Sequence, residues 1–490
     1  MEGNFWHARA MTDPHIETAE YGFATAHSLL DDLKSGELSS VELTEALLAR
    51  IHAVDDTNDG LKSLIAINAE ALSDAARADQ NPTDLPLHGL PVLIKDNIEA
   101  TGLPASAGSL ALAGRTVVAD APLVKQLRDA GAIILGATNL SEWANIRSGN
   151  STSGWSGING LTANPWKYPH SAGGSSSGSG AAIAAGLAPL AVGTETDGSI
   201  VCPASVNGVV GIKPTVGLVS KQGVIPISSS MDSPGPMARN VPDMALMLEV
   251  LAGVRNLVDL CDDESPLRIG VVGQWLSGDD ATNAVFDAAL TSLAEAGIQL
   301  TQVNVTEHSD EIGDAELTIL LSELKEDLSA YLASRHGDGV KSLADVVQFN
   351  IDNSDLELQH FDQGLLEQAL RTGGRDEIYR AAKDKALNWA VNQVLQPGIA
   401  DFDVLIGTTY GPSWHSSLGN GDNYDAASII TCAPALAGWP IGCLPMGFVD
   451  GLPVGMGVVA RPRSEADLVR AMGQLERVFG LNDLRPTFIR

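Results

Sequence analysis

The stretch Ser171–Pro203, SAGGSSSGSGAAIAAGLAPLAVGTETDGSIVCP, constrains this chain more than any other. Its first ten residues hold five Ser, four Gly and one Ala. An Ala-rich run follows, then a short apolar run, then a second small-residue turn ending in Gly198-Ser199. No Asp, Glu, Lys or Arg occurs between Tyr168 and Thr194. Two Ser-bearing Gly turns around an uncharged helix–strand unit call for tightly packed backbone, because Gly permits positive φ and close approach. Ser adds a hydroxyl that donates, accepts or attacks. A flexible linker is the commonest use of Ser and Gly, but this run is short and flows into an apolar element. The uncharged window is long enough for a membrane span, yet its first half is Ser and Gly. No Gly-Lys-Ser/Thr follows the glycines, so the phosphate-cradling P-loop pattern fails.

The chain's 490 residues allow two or three average domains or one large α/β domain. Lys plus Arg is 30 and Asp plus Glu is 61, a net charge of −31. Such acidity argues against nucleic-acid binding and against docking on an anionic membrane. Cys202, Cys261, Cys432 and Cys443 form no CxxC pair and match no zinc spacing, so they read as free thiols. No metal or organic cofactor is expected. The first residues, MEGNFWHARAMTDPHIETAEYGF, lack the apolar core of a secretory signal, which makes the cytoplasm the expected compartment.

Hydrophobic periodicity alternates between helix and strand along the chain. Ser39-Ser40-Val41-Glu42 reads as a capping box, with Leu43, Leu47, Ile51 and Val54 on one helix face. Leu90 to Ile94, bounded by Gly89 and Asp96, reads as a buried strand. Helix is expected over Val124 to Ala130 and Ala181 to Leu187. Strands are expected over Ile133 to Leu135, Leu190 to Val192, Val209 to Pro214 and Gly217 to Val219. After a change of character near Val254 to Pro266 the rhythm resumes: strand, helix and strand up to Val305. Glu316 to Leu395 is mostly helical and polar, and a helical lid or insertion is expected at about 310–396. Strands return at Val404 to Gly407, Ile441 to Pro445 and Met456 to Val459, and Glu465 to Phe479 closes the chain as a helix. This order predicts an α/β fold: one large domain, residues 1–490, with a mixed β-sheet core covered by helices on both faces.

A lone serine hydroxyl is a poor nucleophile and needs an activating base. The usual base is a histidine held by a carboxylate, but none of the ten histidines sits in a context that specifies one. Gly174-Ser175-Ser176-Ser177-Gly178 matches the G-x-S-x-G elbow of α/β-hydrolases, which requires a strand directly before it. The approach here is a loop with two prolines, Pro165 and Pro169. The other basic candidate is Lys95, at the end of the apolar run Gly89-Leu-Pro-Val-Leu-Ile-Lys-Asp96. Taken alone, it reads as a lysine that snorkels from a strand end to water.

Taken with the two Ser/Gly turns, it resembles the amidase signature family. Gly89-x-Pro91-x-x-x-Lys95-Asp96, Gly173-Gly174-Ser175-Ser176-Ser177-Gly178 and Gly193-Thr194-Glu195-Thr196-Asp197-Gly198-Ser199-Ile200 match its three motifs in order. Ser175 and Ser199 are 24 residues apart, as in that family. The resemblance implies Lys95 as base, Ser175 as bridge and Ser199 as nucleophile of an acyl-enzyme mechanism. It also implies a cis peptide bond entering Ser175. Backbone N–H groups of Thr196, Asp197, Gly198 and Ser199 would form the oxyanion hole, with Asp197 and Gly198 serving turn geometry. Lys95 must then be neutral near pH 7, which burial among uncharged Gly and Ser would favour.

Many relatives carry Arg two residues after the nucleophile, where this chain has Val201, and this leaves open how the turn is braced. The stretches Ser141-Glu142-Trp143-Ala144-Asn145 and Gly419-Asn420-Gly421-Asp422 resemble the peptide amidase branch. A small-molecule or peptide amide substrate is implied, and a monomer or homo-oligomer. Aryl, acyl or hydrazide substrates, or a non-catalytic binding protein on the same fold, remain the alternatives.

Overall fold

The computed structural model describes residues 20–115 and 117–486. Residues 1–19, most of the stretch read for a secretory signal, lie outside them. Its centre is an eleven-stranded mixed sheet. The strands are β1 (Leu64–Ile67), β2 (Pro91–Lys95), β3 (Ile133–Thr138), β6 (Leu190–Glu195), β7 (Val210–Lys213), β8 (Ser233–Ala238), β9 (Arg268–Val272), β10 (Gln299–Val303), β11 (Val404–Thr408), β12 (Ile441–Val449) and β13 (Leu452–Val459). A separate two-stranded ribbon is formed by β4 (Trp155–Ser156) and β5 (Gly160–Leu161). The order across the large sheet is β1-β3-β2-β6-β8-β7-β12-β13-β11-β9-β10. β2 lies between β3 and β6, parallel to both. Every residue of β2, β3 and β6 is buried. Side chains alternate between the faces of a strand, so burial of all of them means that both faces are covered.

Local signals explain several boundaries. Ser39 and Glu42 form the expected reciprocal capping box at the start of helix Ser40–Val54. Helix Pro122–Asp129 opens on proline and packs Leu123, Val124 and Leu127 inward. The helix expected from Ala181 begins earlier, and Ser177–Ala184 is helical with every residue buried. Seven of its eight residues are Ser, Gly or Ala, and Ile183 is the one large side chain. A Cβ on Gly178 would lie 2.2 Å from the Ser63 carbonyl oxygen.

One strand expectation needs correction, and one strand was not expected. Gly217 to Val219 is a turn, in which Leu218 N donates to Thr215 O at 2.9 Å. Ser233–Ala238, SPGPMA, is a central strand despite Pro234 and Pro236. It pairs with β6 along its whole length but with β7 only at Met237 and Ala238, so the prolines lie where one neighbour is missing.

Between β10 and β11 the chain is helical, including Asp310–Ser334, Leu343–Asp352, Gly364–Arg371 and Glu377–Leu387. The first three of these helices share a second apolar cluster in which Leu324, Leu328, Leu343 and Leu366 meet Trp143, Ile146, Ile225 and Ile227. All four cysteines are free and buried. Among the described residues no helix is long and apolar enough to cross a membrane.

Candidate active site

Lys95 is the last residue of β2, and the turn carrying Ser199 leaves the end of the adjacent parallel strand β6. Both therefore sit beyond the carboxyl ends of neighbouring parallel strands, where crevices form in such sheets. The Ser175 turn enters beside them, just before helix Ser177–Ala184. The peptide bond between Gly174 and Ser175 is cis. A side chain at position 174 would collide with the hydroxyls of Ser141 and Ser153, its Cβ at 2.3 Å and 2.8 Å from them.

Lys95 Nζ lies 2.9 Å from Ser175 Oγ, 2.9 Å from Ser176 Oγ, 2.9 Å from Thr194 Oγ1 and 3.2 Å from the Thr194 carbonyl oxygen. Lys95 and Ser175 are 0% exposed, whereas Ser199 is 9% exposed, so the cluster runs from a closed amine to a hydroxyl that solvent reaches. Burial lowers the Lys95 pKa from 10.5 to about 7, against the opposing pull of Glu195 and Asp232. These partners accommodate a neutral amine, which has two N–H donors and one lone pair, with the longer contact to the Thr194 carbonyl shared by one of the N–H groups. Ser176 Oγ donates to Thr194 O at 3.0 Å, so it is free to accept from Lys95. Thr194 Oγ1 already accepts from Asn97 Nδ2 at 2.9 Å and can accept the second Lys95 N–H. The lone pair is left for the Ser175 hydroxyl proton.

The two serine turns are tied through backbone, Ser176 N donating to Ser199 O at 3.0 Å. Ser175 Oγ and Ser199 Oγ make no direct hydrogen bond among the described residues. The N–H groups of Asp197, Gly198 and Ser199 likewise have no backbone acceptor there and are available to a ligand oxygen. Gly198 has φ +76°, and a Cβ on it would lie 2.3 Å from the Tyr410 hydroxyl. The brace left open by the absent Arg is Glu195. Its Oε2 accepts from Ile200 N at 2.7 Å and Val201 N at 2.9 Å, holding the start of helix Val201–Asn207.

The resemblance to the family's motifs singles out Lys95, Ser175 and Ser199, but not the groups around them. Ser176 and Thr194 complete the lysine's shell. Asp422 accepts from Ser153 N at 3.1 Å, Ser153 Oγ at 2.7 Å, Trp414 Nε1 at 3.1 Å and Tyr424 OH at 3.1 Å. Ser141 N donates to Ser175 O at 3.1 Å. The two stretches singled out around Ser141 and Asp422 thus converge on the Ser175 turn. The G-x-S-x-G alternative fails on geometry, because Ser176 is fully buried and follows a loop. A small cavity lined by Asn97, Ala144, Thr194, Thr196, Ile225 and Asp232 adjoins the lysine network.

Likeness to known proteins extends along nearly the whole chain. The family model for Amidase matches residues 42–469. The native peptide amidase from Stenotrophomonas maltophilia superposes with a TM-score of 0.89 at 40% identity, covering 96% of this chain and 99% of that one. A peptide amidase in complex with the competitive inhibitor chymostatin gives 0.90 at 40% identity, covering 96% and 100%. A glutamyl-tRNA(Gln) amidotransferase subunit from Methanosarcina mazei is 33% identical over 476 residues, 92% of this chain and 96% of its own length.

Proposed function

This chain belongs to the amidase signature family, whose members hydrolyse amides, and from that premise we propose that it removes the C-terminal amide of peptides, releasing the free acid and ammonia. In this reading Ser199 attacks the amide carbonyl. Ser175 passes the Ser199 proton to Lys95 and returns it to the departing amine. Water then releases the acid by the same relay run again. The N–H groups of Thr196, Asp197, Gly198 and Ser199 face the oxyanion, where fixed donors stabilise developing charge most.

One observation carries the mechanism: a fully buried lysine amine, with its pKa lowered to about 7, lies 2.9 Å from Ser175 Oγ. No histidine among the described residues bonds to Ser175, Ser176 or Ser199, which leaves Lys95 as the base at hand. The missing Ser175–Ser199 bond is compatible with this, since catalytic hydrogen bonds often tighten only once substrate is in place.

The peptide amide class is supported by likeness to peptide amidase structures along nearly the whole of both chains. In this reading the leaving-group side of the site accepts ammonia and not a continuing main chain. Val201 stands two residues after the nucleophile, where many relatives carry Arg, and offers no charge to the product carboxylate. The helical insertion, which packs Leu324 and Leu328 against Trp143 and Ile225, serves as a lid over the cleft. The test is ammonia release from a panel of peptide amides, aryl amides and hydrazides. Peptide amides should be the fastest class, and faster turnover of aryl amides or hydrazides would overturn the substrate class.

A further inference from the structure

Asp197 does more than shape its turn. Its Oδ1 is buried and finds no hydrogen-bond partner among the described residues. Carboxylate oxygens of Asp197 and Glu316, with Cys432 Sγ, all lie within 4.8 Å of one another. Glu316 belongs to helix Asp310–Ser334 of the insertion, so this contact bridges the insertion and the turn that carries Ser199. Cys432 Sγ donates to Glu316 Oε2 at 3.4 Å from the start of helix Cys432–Ala437.

Two carboxylates only accept hydrogen bonds, so such a pair is attractive only if one of them holds a proton. We propose that Glu316 is a positioning residue that holds the Ser199 turn by sharing one proton with Asp197, so that loss of this proton loosens the turn. The proposal rests on Ser199 being the nucleophile.

The surroundings favour keeping the proton. Burial raises both carboxyls; the charge of Asp197 and its hydrogen bond raise Glu316 further, whereas hydrogen bonds from Thr431 and Glu316 pull Asp197 down without cancelling its burial, so the shared proton sits on Glu316. The charged or titratable groups facing Asp197 are Glu195 at the end of β6, Lys213 on β7, His308 ahead of the insertion helix, Tyr410 after β11, and Cys432. Lys213 and His308 oppose the shift without cancelling it. The pair therefore titrates as a unit, and its shared proton is held well above the ordinary carboxylate range. Loss of this proton as pH rises is distinct from the acid-side loss that Lys95 imposes when it becomes charged.

The experiment follows the rate of Ser199 labelling by a fluorophosphonate, with the site mapped by mass spectrometry, from about pH 6 to about pH 10. The full chain is compared with Glu316→Gln and Glu316→Ala, and thermal melts at each pH report folding. The Gln amide donates to Asp197 at every pH, so its alkaline fall should move up by about one pH unit or more relative to the unsubstituted chain. Glu316→Ala should label about tenfold more slowly or worse across the range. If Ala unfolds, the Gln profile alone decides. Coincident alkaline limbs for Gln and the unsubstituted chain, a rate that stays flat to the top of the range, or a folded Ala variant that labels at full speed would each overturn the role of Glu316. A label on a different serine would overturn the nucleophile assignment, and this proposal with it.

Discussion

Lys95→Met tests how the protein keeps a lysine neutral. Methionine has a similar length but cannot be charged. In the unfolded chain Lys95 titrates near 10.5, and in the folded site near 7, chiefly through burial. The difference of about 3.5 units corresponds to about 5 kcal/mol. The sign follows from proton counting. Between pH 7 and 10.5 the unfolded chain holds a proton that the folded chain has released, so stability rises with pH in that window. Below pH 7 the whole penalty is present and constant. Lys95→Met lacks this contribution at every pH. From about pH 7 to about pH 10, its stability relative to the unsubstituted chain should fall by about 4 kcal/mol. Urea unfolding at several pH values measures this directly. A stability difference that stays constant over the window would refute a depressed Lys95 pKa. The same lysine predicts an acid limb near pH 7 in kcat/KM, lost together with activity in the variant.

Other substitutions separate the roles of neighbouring groups. Ser199→Ala should lower turnover by several orders of magnitude with the melting temperature retained, whereas strong residual activity there alongside loss in Ser176→Ala would favour the α/β-hydrolase reading. Ser176→Ala removes one of Lys95's acceptors and should cost about tenfold in kcat, far less than Ser175→Ala, which removes the bridge. Gly198→Ala places a methyl against the Tyr410 hydroxyl and forces a side chain into positive φ, so kcat should fall about a hundredfold; near-normal kinetics would mean the turn tolerates movement. In a matched series, a peptide amide should be cleaved while the same peptide extended by one residue is spared at that bond, and equal rates would contradict a pocket sized for ammonia.

The fold was largely legible because its central strands, such as β2, β3 and β6, are buried on both faces and read as short apolar runs. Helix Glu465–Phe479 and strand Arg268–Val272 fall where periodicity predicts them. β8 escaped because prolines argue against a central strand, and nothing in one sequence tells which side of a strand lacks a partner. β1, four residues long, gave too little pattern to read. Lys95, Ser175 and Ser199 stood out through their resemblance to three family motifs in order, and the fold brings Lys95 within 2.9 Å of Ser175 Oγ. The site was not legible at Ser176 and Thr194, since a serine-rich run does not say which hydroxyl faces the lysine. Glu316 is one acidic residue among many in a polar helical region, and only the folded chain brings it to Asp197.

An acyl-enzyme on Ser199, formed from an amide with release of ammonia, is at the heart of the mechanism. It is tested by acid-quenched turnover of a peptide amide, followed by mass spectrometry of the proteolytic fragment that carries Ser199. This fragment should gain the mass of the peptide amide minus ammonia, ammonia should appear at the same rate, and Ser199→Ala should form neither. An adduct on Ser176, or full turnover in Ser199→Ala, would contradict it.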